Sequence, residues 1–123
     1  MELLNERNIL KYLSNELPEA RFDLKDGLHV IFAYFTDKLI QILKLNATNE
    51  AVILRYFSII NRMTDSKDKA LYDVLGTTVF IGLFDEFGGS ALFEGYLSPA
   101  TRELYELNIK LWEEGNNISG LFE

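Results

Sequence analysis

The sequence predicts an all-α domain of five to six helices, and three observations support that prediction. Apolar residues recur at steps of three and four, the spacing of one face of an α-helix. Proline, glycine and capping residues separate these periodic stretches. No stretch alternates polar and apolar residues as a partner strand would. Helices of similar length with short connections indicate antiparallel neighbours, packed as a small bundle or as a HEAT-like stack of helical hairpins.

The length of the chain fits a single domain. It has 123 residues, of which 48% are hydrophobic and 25% charged, the ordinary balance of a globular protein with its own core. No repeat of fixed period and no low-complexity tract interrupts the sequence. We therefore treat residues 1–123 as one helical domain.

Three helices are predicted in the first half of the chain, over residues 2–17, 28–44 and 50–64. The first ends before Pro18, because the residue that precedes a proline is driven out of helical geometry. Thr48 or Asn49 is the expected N-cap of the third helix. Asp65 or Ser66 is the expected N-cap of the helix that follows it.

The fourth helix, over residues 67–87, has a competing interpretation. Residues 77–84 are rich in β-branched and aromatic side chains, and a buried strand there would give an α+β fold instead. A helix is favoured because the helical period begins upstream, at Leu71, with no turn signal in between. Gly76 and Gly82 then mark places where a neighbouring helix packs closely.

Glycine, serine and proline mark the remaining boundaries. Gly88–Gly89 is predicted to end the fourth helix. A short helix is expected over residues 90–97. Ser98–Pro99 is a specific start signal for the last helix, which is predicted to run to Glu114 and to end at Gly115. The residues of this helix expected to be buried are Leu104, Leu107 and Leu111, with Tyr105 and Trp112 as further candidates.

Negative charge is concentrated in the last two-fifths of the chain. The net charge is −7, yet residues 1–72 hold ten acidic and ten basic side chains, and residues 73–123 hold nine acidic and two basic ones. Such a field repels phosphate backbones and anionic membranes, and it attracts a basic partner. An acidic surface that only keeps the domain in solution is the other explanation of this pattern.

No combination of residues in the sequence indicates a catalytic site. The chain has one histidine, His29, and no cysteine, which excludes disulfides and thiolate metal sites. Glu103 and Glu106 are spaced to share a helix face, but a di-metal carboxylate bundle also needs Glu-x-x-His motifs. Gly88–Gly89 lacks the following lysine of a phosphate-binding loop. We therefore expect a protein that is not an enzyme and that uses no metal or cofactor.

Aromatic residues interleaved with acids mark a candidate surface for a basic protein partner. Such a surface combines steering charge with large anchoring side chains. Tyr96 and Trp112 are the predicted anchors, although core packing explains aromatic residues in this region as well. The residues predicted to bind a partner are Asp85, Glu86, Glu94, Tyr96, Glu103, Glu106, Trp112, Glu113 and Glu114.

Two segments carry a resemblance to a known group of proteins. Residues 54–63 read LRYFSIINRM and residues 73–87 read DVLGTTVFIGLFDEF. With the small, acidic, cysteine-free composition, this pattern resembles bacterial immunity proteins of polymorphic toxin systems, including the contact-dependent growth inhibition type. The resemblance covers roughly residues 28–114. It implies an inhibitor that binds a cognate toxin, often at its active site. Many such toxins are nucleases with basic clefts, so the acidic surface would stand in for nucleic acid.

A helical adaptor or regulatory protein that acts as a homodimer is the alternative function. Light scattering separates the two, because an immunity protein need not associate with itself. The lack of cysteines, of a signal-peptide pattern and of a long apolar run predicts a cytoplasmic protein without membrane contact.

Overall fold

The computed structural model describes the backbone of residues 3–45 and 50–122, and the side chains of these residues as far as 115. Its α-helices are α1 Ile9–Glu16, α2 Leu28–Lys44, α3 Glu50–Ser66, α4 Lys69–Val74, α5 Ile81–Phe87 and α6 Pro99–Phe122. A π-helical segment, Leu75–Phe80, joins α4 to α5 without a break, and 3-10 turns lie at Pro18–Ala20 and Glu94–Tyr96. The described part of the chain contains no strand. The all-α prediction is confirmed.

The alternative strand at residues 77–84 is wrong, because this stretch lies inside a continuous helix. The continuous helix formed by α4, the π-helical segment and α5 is called the central helix below. It packs between α2 and α6. Val79, Phe80 and Leu83 are fully buried in it. A helix with neighbours on both sides needs apolar residues around most of its circumference. The β-branched and aromatic composition therefore reflects deep burial rather than strand pairing.

Aromatic rings fill much of the core. Phe35 of α2 lies with its ring centroid 4.9 Å from that of Tyr56 of α3. Phe80 and Phe93 both meet the edge or face of Tyr105, at centroid distances of 5.4 and 5.7 Å. Such tilted and edge-to-face pairs are the favoured arrangements of aromatic side chains. The connection before α6 is thereby joined to the central helix and to α6.

The first helix begins at Ile9, later than residue 2 where the sequence placed it. The side chain of Asn5 accepts hydrogen bonds from the backbone amides of Arg7 and Asn8, at 2.8 and 3.1 Å. The amide group of Asn8 in turn donates to the carbonyl of Leu3 at 3.0 Å. Asparagine side chains that bond to nearby backbone compete with helix formation. This local network holds residues 6–8 in a turn, and residues 3–5 before it have no regular structure.

The boundary between α3 and α4 also differs from the prediction. The third helix extends to Ser66, and the N-cap of α4 is Asp68 rather than Asp65 or Ser66. A carboxylate oxygen of Asp68 accepts from the amide of Leu71 at 3.1 Å. The predicted N-cap of α3, Thr48 or Asn49, lies outside the described residues.

The glycine and proline signals near the end of the chain have different outcomes. Gly88 ends α5 in the left-handed conformation, at φ 71°, as predicted. Residues 90–97 contain only the 3-10 turn rather than a longer helix. The Ser98 hydroxyl accepts from the amide of Thr101 at 3.2 Å, so the predicted start of α6 is confirmed. Gly115 does not end the helix, which continues to Phe122.

The buried side of α6 differs from the predicted leucine face. Thr101, Tyr105 and Ile109 are buried, at steps of four residues, whereas Leu107 and Leu111 are 52% and 57% exposed. The side of α6 that carries these three residues packs against α3 and the π-helical segment. Burial of Leu107 and Leu111 was therefore a wrong expectation. Their exposure leaves an apolar stripe on the surface of α6.

The two glycines of the central helix mark close approaches, as predicted. A Cβ at Gly76 would stand 2.3 Å from Oδ1 of Asn108 on α6. A Cβ at Gly82 would stand 2.9 Å from Cγ2 of Thr36 on α2. Thr36 is buried and its hydroxyl donates to the Phe32 carbonyl at 2.7 Å, so it is held in place. Both neighbouring helices thus approach the central one where it lacks a side chain.

We expect the variant Tyr105→Phe to be more stable than the natural chain by about 1 kcal/mol, because the buried Tyr105 hydroxyl has no hydrogen-bond partner among the described residues. Tyr72→Phe is the opposite case. The Tyr72 hydroxyl donates to the Thr64 carbonyl at 2.8 Å, so its loss should cost about 1 kcal/mol. Urea unfolding followed by circular dichroism measures both changes. A less stable Tyr105→Phe would contradict the assignment.

The same variant should change the alkaline end of the stability profile. Burial, with a smaller contribution from the charge of Glu113, raises the pKa of Tyr105 above its ordinary value of 10.0. The unfolded chain then releases this proton at a lower pH than the folded chain does. The free energy of unfolding therefore falls as the pH rises above 10.0. Tyr105→Phe should remove this part of the alkaline loss.

We expect Gly76→Ala to destabilise the fold by about 1–2 kcal/mol, because the added Cβ must displace the Asn108 side chain. That side chain is held by a hydrogen bond to the Leu104 carbonyl at 2.8 Å. Adding Asn108→Ala should recover about 1 kcal/mol in a double-mutant cycle. Gly95→Ala, which meets no atom within 4 Å, is the uncoupled control. Equal coupling in both cycles would contradict the close approach.

Candidate functional site

Four of the predicted partner-binding acids share one exposed face of α6. Steps of three and four residues return to the same side of a helix, and such steps lead from Glu103 to Glu106, Lys110 and Glu114. Glu113 lies two turns beyond Glu106. All five side chains are exposed. This face, defined by Glu103, Glu106, Glu113 and Glu114, is called the acidic face below. It extends about 16 Å along the helix axis.

Two exposed basic residues, Arg102 and Lys110, lie one helical turn from Glu106 on either side, but neither forms an ion pair with the acidic face within the described residues. Within the part of the chain that the structure describes, the ion pairs are Lys44 with Glu86 and Arg55 with Glu19. No glutamate of the acidic face takes part in either. The charge of Glu113 contributes to the raised pKa of the buried Tyr105 hydroxyl. The negative field of this face therefore reaches into the protein as well as into solvent.

The other predicted acids lie apart from the acidic face along the chain. Asp85 and Glu86 belong to α5, which packs against α2, and Glu86 forms its ion pair with Lys44 of that helix. Glu94 lies in the 3-10 turn that precedes α6, where its carbonyl accepts from a guanidinium nitrogen of Arg102 at 3.1 Å. All three carboxylates are exposed. The pairing of Glu86 partly offsets its charge.

The two predicted anchors differ in how much surface they present. Trp112 is 38% exposed and meets Phe84 edge to face at 5.8 Å between ring centroids. Tyr96 is half-buried and stacks on Phe57 at 5.2 Å, while its carbonyl accepts from the side chain of Asn61 at 3.1 Å. Much of the Tyr96 ring is thus used for packing, whereas Trp112 reaches the surface beside Glu113.

Sequence reasoning missed an open groove beside Trp112. Its volume is about 340 Å³, and it lies between α6 and the central helix. The lining residues are Gly76, Thr77, Ile81, Asn108, Leu111 and Trp112. The sequence signal that could have indicated this groove is the four-residue spacing of Thr101, Tyr105 and Ile109. When these residues are buried, Leu111 lies toward solvent.

A second charged region lies around Arg55 of α3. Its guanidinium donates to a carboxylate oxygen of Glu19 at 2.6 Å and to the Glu16 carbonyl at 3.1 Å. A backbone amide hydrogen bond lowers the pKa of Glu19, burial opposes that change, and Arg55 lowers the pKa further. Since the acid and the base satisfy each other, this ion pair is a structural link between the first connection and α3.

The described side chains contain no cluster of metal ligands. In residues 3–45 and 50–115, no group of three or more histidines and carboxylates comes together that could hold a metal ion. His29 is exposed, and its Nδ1 lies 3.1 Å from the Thr78 hydroxyl. No helix of the described chain is long and apolar enough to cross a membrane.

Comparison with known proteins gives a family for this chain. No curated protein and no solved structure matches it significantly. Residues 10–113 match the profile of DUF7674, a domain of unknown function. The matched range runs from α1 to Glu113, and it includes the central helix and most of the acidic face. The chain therefore belongs to the DUF7674 family.

Proposed function

We propose that this protein is a cytoplasmic immunity protein that binds and neutralises a basic toxin domain through the acidic face of α6, and that the toxin is a nuclease. The observation that carries the proposal is the combination on one helix of four exposed glutamates, none in an ion pair among the described residues, with the exposed side chains of Leu111 and Trp112.

Charge and apolar surface have separate roles in such a complex. Exposed carboxylates attract a positively charged partner over a distance and speed the encounter. Exposed leucine and tryptophan side chains then supply the surface that leaves water on binding. A nuclease cleft lined with lysine and arginine needs the same negative field that its nucleic-acid substrate provides. The acidic face offers that field on a protein scaffold.

The exposure of the acidic residues favours inhibition over catalysis. Catalytic carboxylates are commonly held in clefts where burial or a close neighbour alters their pKa. The glutamates of the acidic face lie on the outside of a helix. Their position suits contact with a large surface, so we propose that the protein acts by binding and is not an enzyme.

A homodimer is the second candidate, and the exposed Leu107 and Leu111 are the observation that favours it. A symmetric dimer through α6 would bring two copies of the acidic face together, and like charges across an interface cost binding energy. We expect light scattering to give the mass of one chain, 14.2 kDa, at physiological salt. A stable mass of two chains would favour the adaptor function instead.

We expect the double variant Glu103→Lys/Glu106→Lys to lose the toxin. The tagged natural chain is used to capture partners from cells at low salt, together with this variant and the control Glu6→Lys/Asp37→Lys. The control reverses two exposed acids on the other half of the chain. The toxin is the basic protein held by the natural chain and by the control but lost by the Glu103/Glu106 variant.

Purified partner and growth assays complete this test. Association with the Glu103/Glu106 variant should be slower by about tenfold or more and less dependent on salt. Expression of the captured protein should arrest growth, and co-expression of the natural chain should restore it. The proposal fails if no protein distinguishes the two charge variants, or if the protein that does is harmless to cells.

A further inference from the structure

The groove beside Trp112 lies between two helices that approach each other closely. One wall is formed by Gly76, Thr77 and Ile81 of the central helix, and the other by residues of α6. Asn108 fills the place that a side chain at position 76 would occupy. The groove is open to solvent on the side of Leu111, which is 57% exposed. Its walls are mainly apolar, and no described side chain covers it.

The charged residues that neighbour the lining residues of this groove along the two helices are mostly carboxylates. Asp73 lies one helical turn before Thr77, and its carbonyl accepts from the Thr77 hydroxyl at 2.7 Å. Asp85 lies about one turn beyond the other lining residue of this wall, Ile81. On α6, Glu113 and Glu114 directly follow the lining residues, and one lysine, Lys110, directly precedes them. All four carboxylates are exposed, so the occupant is apolar where it enters the groove and positively charged around that point.

The π-helical segment forms part of one wall of the groove. Residues 75–80 include the lining residues Gly76 and Thr77. π-helical turns inside α-helices are rare and are frequently found at functional sites. The π-helical segment therefore points to a function at the groove, independently of the surrounding charges.

We infer that the groove receives an apolar side chain from an amphipathic, basic helix of the partner protein, with lysines or arginines of that helix meeting the surrounding carboxylates. A groove between two helices suits a third helix that packs along it. The described chain offers no sheet edge to which an extended peptide could add. A symmetric contact between the grooves of two copies is disfavoured, because both grooves are bordered by the same negative charge. This inference rests on the proposed function and specifies what the toxin presents.

Trp112 is the only tryptophan of the chain, so its fluorescence reports on the groove directly. The probe is a synthetic amphipathic helical peptide with leucines on one face and lysines on the other. Titration of the full-length chain should shift the Trp112 emission to shorter wavelength with saturation. A peptide in which glutamates replace the lysines should produce no shift. An equal shift with both peptides would overturn the role of the carboxylates.

Two leucines of α6 provide a matched pair of variants. Leu111 lines the groove, whereas Leu107, one turn earlier and similarly exposed, does not. Leu111→Ala should weaken binding of the lysine peptide about fivefold or more, while Leu107→Ala should stay within about twofold of the natural chain. Circular dichroism confirms that both variants fold. Equal effects of the two variants would overturn the inference, since they would show binding to the apolar stripe rather than to the groove. A shift of Trp112 emission with protein concentration alone would also overturn it, because the occupant would then be a second copy.

The toxin found by capture separates this inference from the proposed function. If Leu111→Ala binds the toxin as tightly as the natural chain does, the groove assignment is overturned and the proposed function stands. If the lysine peptide binds in the groove but no toxin is captured, the proposed function is overturned. The groove is then supported as a site for another basic helix.

Discussion

The close approach of three helices at Gly76 and Gly82 determines the arrangement of the rest of this fold. A side chain at either position would overlap Asn108 of α6 or Thr36 of α2. The helix between them can therefore lie at the centre with neighbours on two sides, and its apolar residues fill the core. Since interiors are packed as densely as crystals, even one added methyl group at such a contact must displace the neighbouring side chain. The position of α6 is thus determined at Asn108.

The position of α6 explains both features of its outer surface. Packing through Thr101, Tyr105 and Ile109 directs those residues inward, and a helix that buries one face must present the opposite one. The acidic face and the exposed leucines are then consequences of a single rotation about the helix axis. The groove follows from the same contact, because its two walls meet where Asn108 reaches Gly76. The acidic face and the groove therefore both follow from the way α6 packs against the central helix.

Much of this fold could be predicted from local signals, and the misses have physical reasons. The bounds of α2, the left-handed Gly88 and the Ser98–Pro99 start were predictable, because each depends on a short stretch of sequence. The start of α1 was not, since Asn5 forms hydrogen bonds that periodicity does not reveal. The exposure of Leu111 depends on which of two possible faces finds a partner helix, and tertiary packing decides that.

The acidic residues of the candidate site could be predicted from the distribution of charge along the sequence, but the groove could not. Charge excess is visible in any stretch of sequence, whereas a groove exists only between two segments that the fold brings together. This difference bears on how such a surface binds. Charges on an exposed helix act at long range and are screened by salt, so they chiefly affect how fast a partner arrives. An apolar side chain seated in a groove acts only in contact, so it chiefly affects how long the partner stays. The proposed toxin inhibitor would need both, since a slowly formed complex leaves time for damage and a short-lived one releases the toxin. The acidic face and the groove beside Trp112 place these two requirements on the same helix.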